Sequence, residues 1–468
     1  MTDIESAPPK LFEHVRHVFE AMRKEATAET ISEAPGKSRH ALVYEGHTTT
    51  LFRELGLATP YYCVAEDTEI LTQAGWRHHL NLSRGAFVLT YNLETGASEW
   101  QPVQDVHRFE VRNEKLVLMK GHTHSSLTTP THRWPVLATE SGTRKFKTTS
   151  TLARQDAIPC AAPTANLPTE QKYTDEFVEL IVWFQTEGTM LNGCVSFSQD
   201  EVAHPGNCAR IRTALNQELG TSWSEYRQTT SGRIWRVPPA PTNAILSACD
   251  LLPATDGDRD VAKVLTFEFI NSLTRSQLQL LLHVAWLGDG FTSNTSNTRG
   301  IKQKRKEALD PYQLACALLG IRTSIRHQQD NNMWVLTFGG SRTYIRPRSA
   351  YYQSSGRTFR IVPVEYTGVV WCPSTPNGTW FARREGTTYF TGNSSVLQRL
   401  QRMGCIKQLS RGGGSARSRW ELLKDPDFDD FDAADDKRSR KGLALVVDDM
   451  NDRLEAVEQA LGLRETGT

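Results

Sequence analysis

Apolar residues recur at helical period near both ends of the chain. Leu11, Val15, Val18, Phe19 and Met22 predict one amphipathic helix, and Met450, Leu454, Val457 and Leu461 predict another; both read as packing or dimer helices. Thr48-Thr49-Thr50 followed by Leu51-Phe52-Arg53-Glu54-Leu55-Gly56-Leu57 predicts a short helix that stops at a glycine turn. In the middle, Leu180-Ile181-Val182-Trp183-Phe184-Gln185-Thr186-Glu187-Gly188 and Leu282-His283-Val284-Ala285-Trp286-Leu287-Gly288-Asp289-Gly290 predict two apolar helices, each ending in an acid and a glycine. Each is followed by a second helical run, 209–215 and 312–318, and then by a strand candidate, 231–236 and 334–338. Such repetition predicts an internal duplication. Further strands are expected at Leu116-Val117-Leu118-Met119 and Thr388-Tyr389-Phe390.

One helical stripe is broken in the chain as written and completed by a deletion. With residues 63–393 removed, Tyr62 adjoins Ser394, and Val396, Leu397, Leu400 and Met403 continue one apolar face across the joint. Thr59 suits the N-cap, Pro60 the first helical position and Gly404 the end of that helix. The preceding short helix, the glycine turn and this restored helix form a helix-turn-helix pattern. Downstream, Cys405-Ile406-Lys407-Gln408-Leu409 and Ser418-Arg419-Trp420-Glu421-Leu422 predict two strands, joined through Arg411-Gly412-Gly413-Gly414-Ser415 as a hairpin. The joined stretch, residues 38–62 plus 394–424, resembles a winged helix-turn-helix domain of the bacterial or phage regulator type.

Charge changes the picture locally. The 468 residues carry a net charge of +1, which says nothing about partners, and their length predicts about three domains. From Ser394 to Trp420, however, Arg399, Arg402, Lys407, Arg411, Arg417 and Arg419 stand without an acid among them, as expected of a duplex-DNA binder. Arg399 and Arg402 would face away from the apolar stripe, toward phosphates or guanine edges. The acidic run Asp425-Pro426-Asp427-Phe428-Asp429-Asp430-Phe431-Asp432 reads as a linker. No apolar run has membrane length, and the start, Met-Thr-Asp-Ile-Glu, has no signal pattern. Eight cysteines without metal or disulfide spacing point to a cytoplasmic protein with reduced thiols.

The borders of the removable stretch carry chemistry. Cys63 opens Cys-Val-Ala-Glu-Asp-Thr-Glu-Ile, and Thr391-Gly392-Asn393-Ser394 closes it. A thiol at one border and an Asn followed by a hydroxyl at the other are the groups needed to pass an acyl chain across a gap. Thr129-Pro130-Thr131-His132 lies between them. The set resembles an intein, a protein-splicing element, running from Cys63 to Asn393. The resemblance implies an all-β Hint module formed by 63–160 and 361–393. It implies attack on the Tyr62 carbonyl, transfer of the acyl group to Ser394, succinimide formation by Asn393 and a final shift to the Tyr62–Ser394 peptide bond, with no cofactor. His132 would protonate the leaving nitrogen, and Thr129 would orient it or support the oxyanion. Gly392 departs from the histidine that inteins commonly carry before the terminal Asn. Trp134, Cys372 and Thr391 resemble the trio of the third mechanistic class, in which the internal cysteine attacks the upstream junction. The first nucleophile is therefore open between Cys63 and Cys372.

The two acid-ended blocks, in the excess region 170–360, resemble the paired motifs of LAGLIDADG homing endonucleases. That resemblance implies Glu187 and Asp289 side by side as ligands of Mg²⁺, which polarises phosphate and activates water, with Lys263 nearby. Val182 and Val284 stand at the expected helix crossing, where their bulk would push the helices apart. The whole reading is multidomain. It has an N-terminal host part (1–62), the all-β splicing module, an α+β nuclease, the rest of the winged helix (394–424), and an acidic linker with a helix (425–468). It implies a precursor that splices into a DNA-binding protein, with double-stranded DNA as host operator and homing site, no membrane, and a homodimer open to the spliced product. Two rivals remain: a non-splicing nuclease with DNA-binding arms, and a regulator carrying an inactive insert.

Overall fold

The computed structural model describes residues 8–34, 37–46, 63–130, 132–138, 142–253, 261–292, 298–339, 342–348, 359–393, 400, 403–410 and 417–427. The expected helices at 51–57 and 450–461, the joint between Tyr62 and Ser394, and Arg399, Arg402 and Arg411 lie outside the described residues. The rest is a mixed α/β protein rich in strands, arranged in several sheets. No described helix is long and apolar enough to cross a membrane.

The two segments flanking the candidate insert come together. Pro8–Glu25 is the first helix, and the strands Thr27–Ala34, Lys37–Gly46, Ser418–Leu422 and Ile406–Ser410 form one antiparallel sheet in that order. Lys37–Gly46 pairs with Ser418–Leu422 from Leu42 opposite Leu422 to Gly46 opposite Ser418. Val18, Phe19, Met22 and Tyr44 from before the insert share a buried core with Leu400, Met403, Ile406 and Trp420 from after it. The sheet is also pinned by an ion pair from Arg39 to Glu421. The hairpin of 27–46 has no clear apolar alternation, and among its described side chains Val43 and Tyr44 are the buried ones; its partner strands specify it.

Inside the borders, a closed barrel is built from Arg360–Ser374, Val64–Ala65, His124–Thr128 and Asp105–Gly121. Its long strands pair from Arg360 opposite Lys120 to Ser374 opposite Asp105, with an irregularity between Tyr366 and Gly368. Both expected strands are here, Leu116–Met119 within Asp105–Gly121 and Thr388–Phe390 within Thr387–Gly392.

The middle of the chain is a duplicated unit. The helix Asp175–Glu187 leads into a sheet of order Gly188–Leu191, Cys194–Asp200, Gly232–Arg236, Ser224–Arg227. The helix Arg275–Asp289 leads into Gly290–Thr292, Arg299–Gln303, Met333–Phe338, Thr323–Gln328, in the same relative order. The second sheet does not stop there. Ser324 pairs with Thr387, so it runs on through Thr387–Gly392, Thr379–Arg384, Glu69–Thr72, Phe87–Tyr91 and Ser98–Pro102. Gly386 permits the joint: its φ is +72°, and a Cβ there would lie 2.0 Å from the Ile325 carbonyl oxygen. One hydrophobic core likewise holds Leu71, Tyr91, Phe381 and Phe390 of these added strands with Val182, Trp183, Val284 and Leu314 of the duplicated unit.

Arg383 ties the same boundary. Its buried guanidinium donates to Glu69 (2.7 Å), to Asp310 (2.5 Å) and to Gln313 (2.9 Å). Arg383→Leu leaves two half-buried carboxylates facing each other without their cation. We expect a loss of about 2–3 kcal/mol, below the usual figure for a fully buried pair because both acids keep some water. Denaturant unfolding of the full chain carrying Asn393→Ala, with and without Arg383→Leu, reads it.

Candidate functional site

The barrel strands converge on Cys63. Its amide N–H donates to Thr129 Oγ1 (3.2 Å), and its carbonyl accepts the Thr129 N–H (3.0 Å). A tight turn, with His132 N–H donating to the Thr129 carbonyl at 3.0 Å, brings His132 back under it. His132 Nε2 shares a 2.5 Å hydrogen bond with Thr391 Oγ1. Trp134 packs edge-on against the His132 ring at 4.7 Å and donates from Nε1 to Thr149 Oγ1 (2.9 Å). Thr149 in turn donates its N–H to the His132 carbonyl (3.0 Å). Thr149 was not legible as a site residue, since a threonine in Thr148-Thr149-Ser150-Thr151 has no distinguishing spacing.

Cys372 enters from the strand Arg360–Ser374. Trp371 pairs with Val64 and Val370 with Ala65, so the register continues to place Cys372 across from Cys63. The Cys63 thiol donates to Cys372 Sγ across 3.3 Å, and both are buried. Burial, then the contact with Cys372, pushes the Cys63 thiol well above its ordinary range. A thiol held protonated is a poor nucleophile.

Asn393 ends the strand that carries Thr391. Its N–H donates to the Gly378 carbonyl (2.7 Å). Its side chain is buried, and among the described residues neither Oδ1 nor Nδ2 has a hydrogen-bond partner. Gly392 explains the missing histidine. A Cβ there would lie 2.6 Å from the Arg133 carbonyl oxygen and 3.0 Å from the Phe146 ring, so the fold has no space for a side chain. Gly392→His should therefore slow release at the downstream border by about 10²-fold through displacement of Asn393, rather than assist it. Accumulation of upstream-cleaved or branched chain on a denaturing gel measures this.

A second group of residues sits where the two acid-ended helices meet. The helices pack against each other with Val182 and Val284 fully buried, and their backbones approach closely one turn later. There a Cβ on Gly288 would lie 2.6 Å from Thr186 Oγ1. A glycine and a threonine therefore face each other closely just before the two acids. Gly188 and Gly290 follow the acids in extended backbone; a Cβ on either would strike the carbonyl oxygen of Phe184 at 2.4 Å or of Trp286 at 2.1 Å. Burial, then the charge of Glu187, pushes the Asp289 carboxyl up to about 7, and burial raises Glu187 as well. Gln303 Nε2 donates to Asp289 Oδ2 (2.7 Å), and Gln199 bonds Glu187. These glutamines occupy the second strand after each acid, a matching placement that the duplication could have exposed. Lys263 donates to the Gly188 carbonyl, and its charge reaches both acids.

Among the flanking basic residues, Lys407 and Arg417 are exposed. Arg419 is engaged with Glu29 and, at 3.5 Å, with Glu45. Arg419, from the stretch without acids in sequence, thus meets acids across the sheet.

No family model matches the chain, and no curated protein matches it. Solved structures do show partial likeness. The homing endonuclease I-DmoI, in complex with DNA and Mn, aligns at 10% identity and a TM-score of 0.26, covering 39% of this chain and 97% of that one. A splice-inactive variant of the AceL NrdHF class 3 split intein aligns at 7% identity and a TM-score of 0.27, covering 71% of this chain and 99% of that one. The N-terminal LAGLIDADG domain of DUF199/WhiA aligns at 14% identity and a TM-score of 0.24, covering 37% and 80%. Likenesses this slight assign neither residues nor activity.

Proposed function

We propose that residues 63–393 are a self-excising insert that joins Tyr62 to Ser394. The observation that carries this reading is the run of contacts from Cys63 through Thr129, His132 and Thr391 to the strand ending at Asn393, with Cys372 beside Cys63. A run of hydrogen bonds thus links Cys63 to the strand that precedes Asn393, although the two are far apart in sequence.

The chemistry follows from that arrangement. Cys372 Sγ, across the strand pair from Cys63, attacks the Tyr62 carbonyl, and the bond to the Cys63 nitrogen breaks. His132, hydrogen-bonded to Thr391, protonates that nitrogen as it leaves, and Thr129 Oγ1, which accepts its N–H, holds it in position. The thioester passes to the Ser394 hydroxyl. Asn393 Nδ2 then attacks the Asn393 carbonyl, closing a succinimide and freeing the insert, and the Ser394 ester shifts to its own nitrogen. The first test is to express the chain and weigh its products. Species matching 63–393 and the joined 1–62 plus 394–468 are expected; a single full-length chain would overturn the reading.

The duplicated unit supports a second activity, metal-dependent cleavage of double-stranded DNA. Among the described residues no three His, Cys, Asp or Glu side chains are arranged to hold a metal ion. Two adjoining carboxylates nevertheless suit Mg²⁺, which fills its octahedron with waters and substrate phosphate. Glu187 and Asp289 would hold it, and the ion would supply charge to the scissile phosphate and acidify a water. Gln199 and Gln303 orient the two acids, and Lys263 adds positive charge beside them.

The flanks support a DNA-binding host whose sheet and core are already assembled with the insert in place. In the ligated product, Lys407→Ala and Arg417→Ala should each weaken duplex binding and reduce its salt slope by about one. Arg419→Ala should leave affinity unchanged, because that guanidinium is committed to Glu29 and Glu45. Titration of a labelled operator at several salt concentrations reads all three.

A further inference from the structure

We infer that Cys63 and Cys372 form a thiol-oxidation site, which low-molecular-weight disulfides of the glutathione type convert to an internal disulfide that holds the chain unspliced. The register of Val64 with Trp371 and Ala65 with Val370 makes the two cysteines cross-strand neighbours. Antiparallel neighbours have Cα atoms about 4.5–5.5 Å apart, inside the range a disulfide spans. The sulfurs are 3.3 Å apart, and closing them to bonding distance needs only small side-chain rotations. The other six cysteines are buried elsewhere in the fold.

The exchange balances in two steps. Cys372, which retains 7% exposure against none for Cys63, attacks one sulfur of the small disulfide and releases one small thiol. Cys63 then gives up its proton and attacks the Cys372 sulfur, releasing the second small thiol. Two protein thiols are oxidised and one small disulfide is reduced to two thiols. On the splicing reading above, on which this consequence rests, the bond occupies both candidate first nucleophiles together. Neither sulfur can then accept the Tyr62 acyl group until a reductant reopens the pair. A chain with only one of these thiols would lack this block, so retention of both makes ligation conditional on a reducing environment.

The test uses the full chain with Asn393→Ala and Ser394→Ala, which leaves the first acyl transfer possible and stops later steps. Oxidised glutathione should give a chain lighter by two hydrogens, with the Cys63 and Cys372 peptides linked in a non-reducing digest. Adding Cys372→Ser should abolish that linked pair. Hydroxylamine cleavage after Tyr62 should fall to background in the oxidised chain and return when dithiothreitol is added. Stable glutathione adducts in place of the linked pair, or a linked chain that hydroxylamine still cuts at the reduced rate, would overturn the proposal. If the reduced chain resists hydroxylamine, the splicing reading fails, and the digest still decides whether the bond forms.

Discussion

Cys372→Ala should abolish ligation, whereas Cys63→Ala should slow it and leave a ligated product. The two thiols touch, but they are not equivalent. Cys63 is held protonated by burial and by its neighbour, and its own amide nitrogen is the leaving group anchored to Thr129. Cys372 comes from the opposite strand and does not carry the leaving nitrogen. Removing a sole nucleophile costs at least about 10⁴-fold, because water at the same place does not replace it. Removing a neighbour loses one weak contact and some packing. Time courses of ligated product for the two single variants and the double variant separate the cases. The opposite dependence would make Cys63 the attacker. Ligation that survives without both thiols would remove either scheme.

Glu187→Ala or Asp289→Ala should eliminate Mg²⁺-dependent cutting of an uninterrupted host gene while ligation proceeds. The acids share one buried crossing, where burial raises both pKa values and the charge of Glu187 raises that of Asp289 further. A cation between them offsets that repulsion, and a lone carboxylate cannot hold it in place. The pH dependence has a definite sign. Asp289, ionising only near 7, must lose its proton before it can bind metal, so cutting should rise between about pH 6 and 8. Its raised pKa also means that ionising it in the folded chain opposes folding. Stability contributed by the neutral acid is present below its unfolded value and is lost as pH climbs toward the folded value. Asp289→Asn should accordingly raise the melting temperature of the metal-free chain at pH 8 while removing cutting. Wild-type insert that never cuts the gene would identify the unit as a relic.

Much of this was readable along the chain because it is local. The acid and glycine ending each central helix report an abrupt helix-to-strand exit, and the matching followers report the duplication. The strands at 418–422 and within 105–121 alternate or run apolar strongly enough to be found. By contrast, the hairpin at 27–46 carries little apolar signal and exists because Leu42–Gly46 has a partner strand from beyond the insert.

Residue types and order thus settled which chemical groups exist: two thiols, a terminal Asn before a hydroxyl, a Thr-Pro-Thr-His turn, and paired acids. The tertiary structure decided which of them meet. It set Cys372 opposite Cys63, His132 against Thr391, and Arg383 between Glu69 and Asp310. It also joined the second half of the duplicated unit in one sheet to Thr387–Gly392, Thr379–Arg384 and Glu69–Thr72 beside the barrel, and it closed position 392 to any side chain. The reason is physical. Periodicity reports which face of a segment is buried, whereas pairing depends on register between strands remote in sequence. A shift of one residue there would turn every such group to the opposite face.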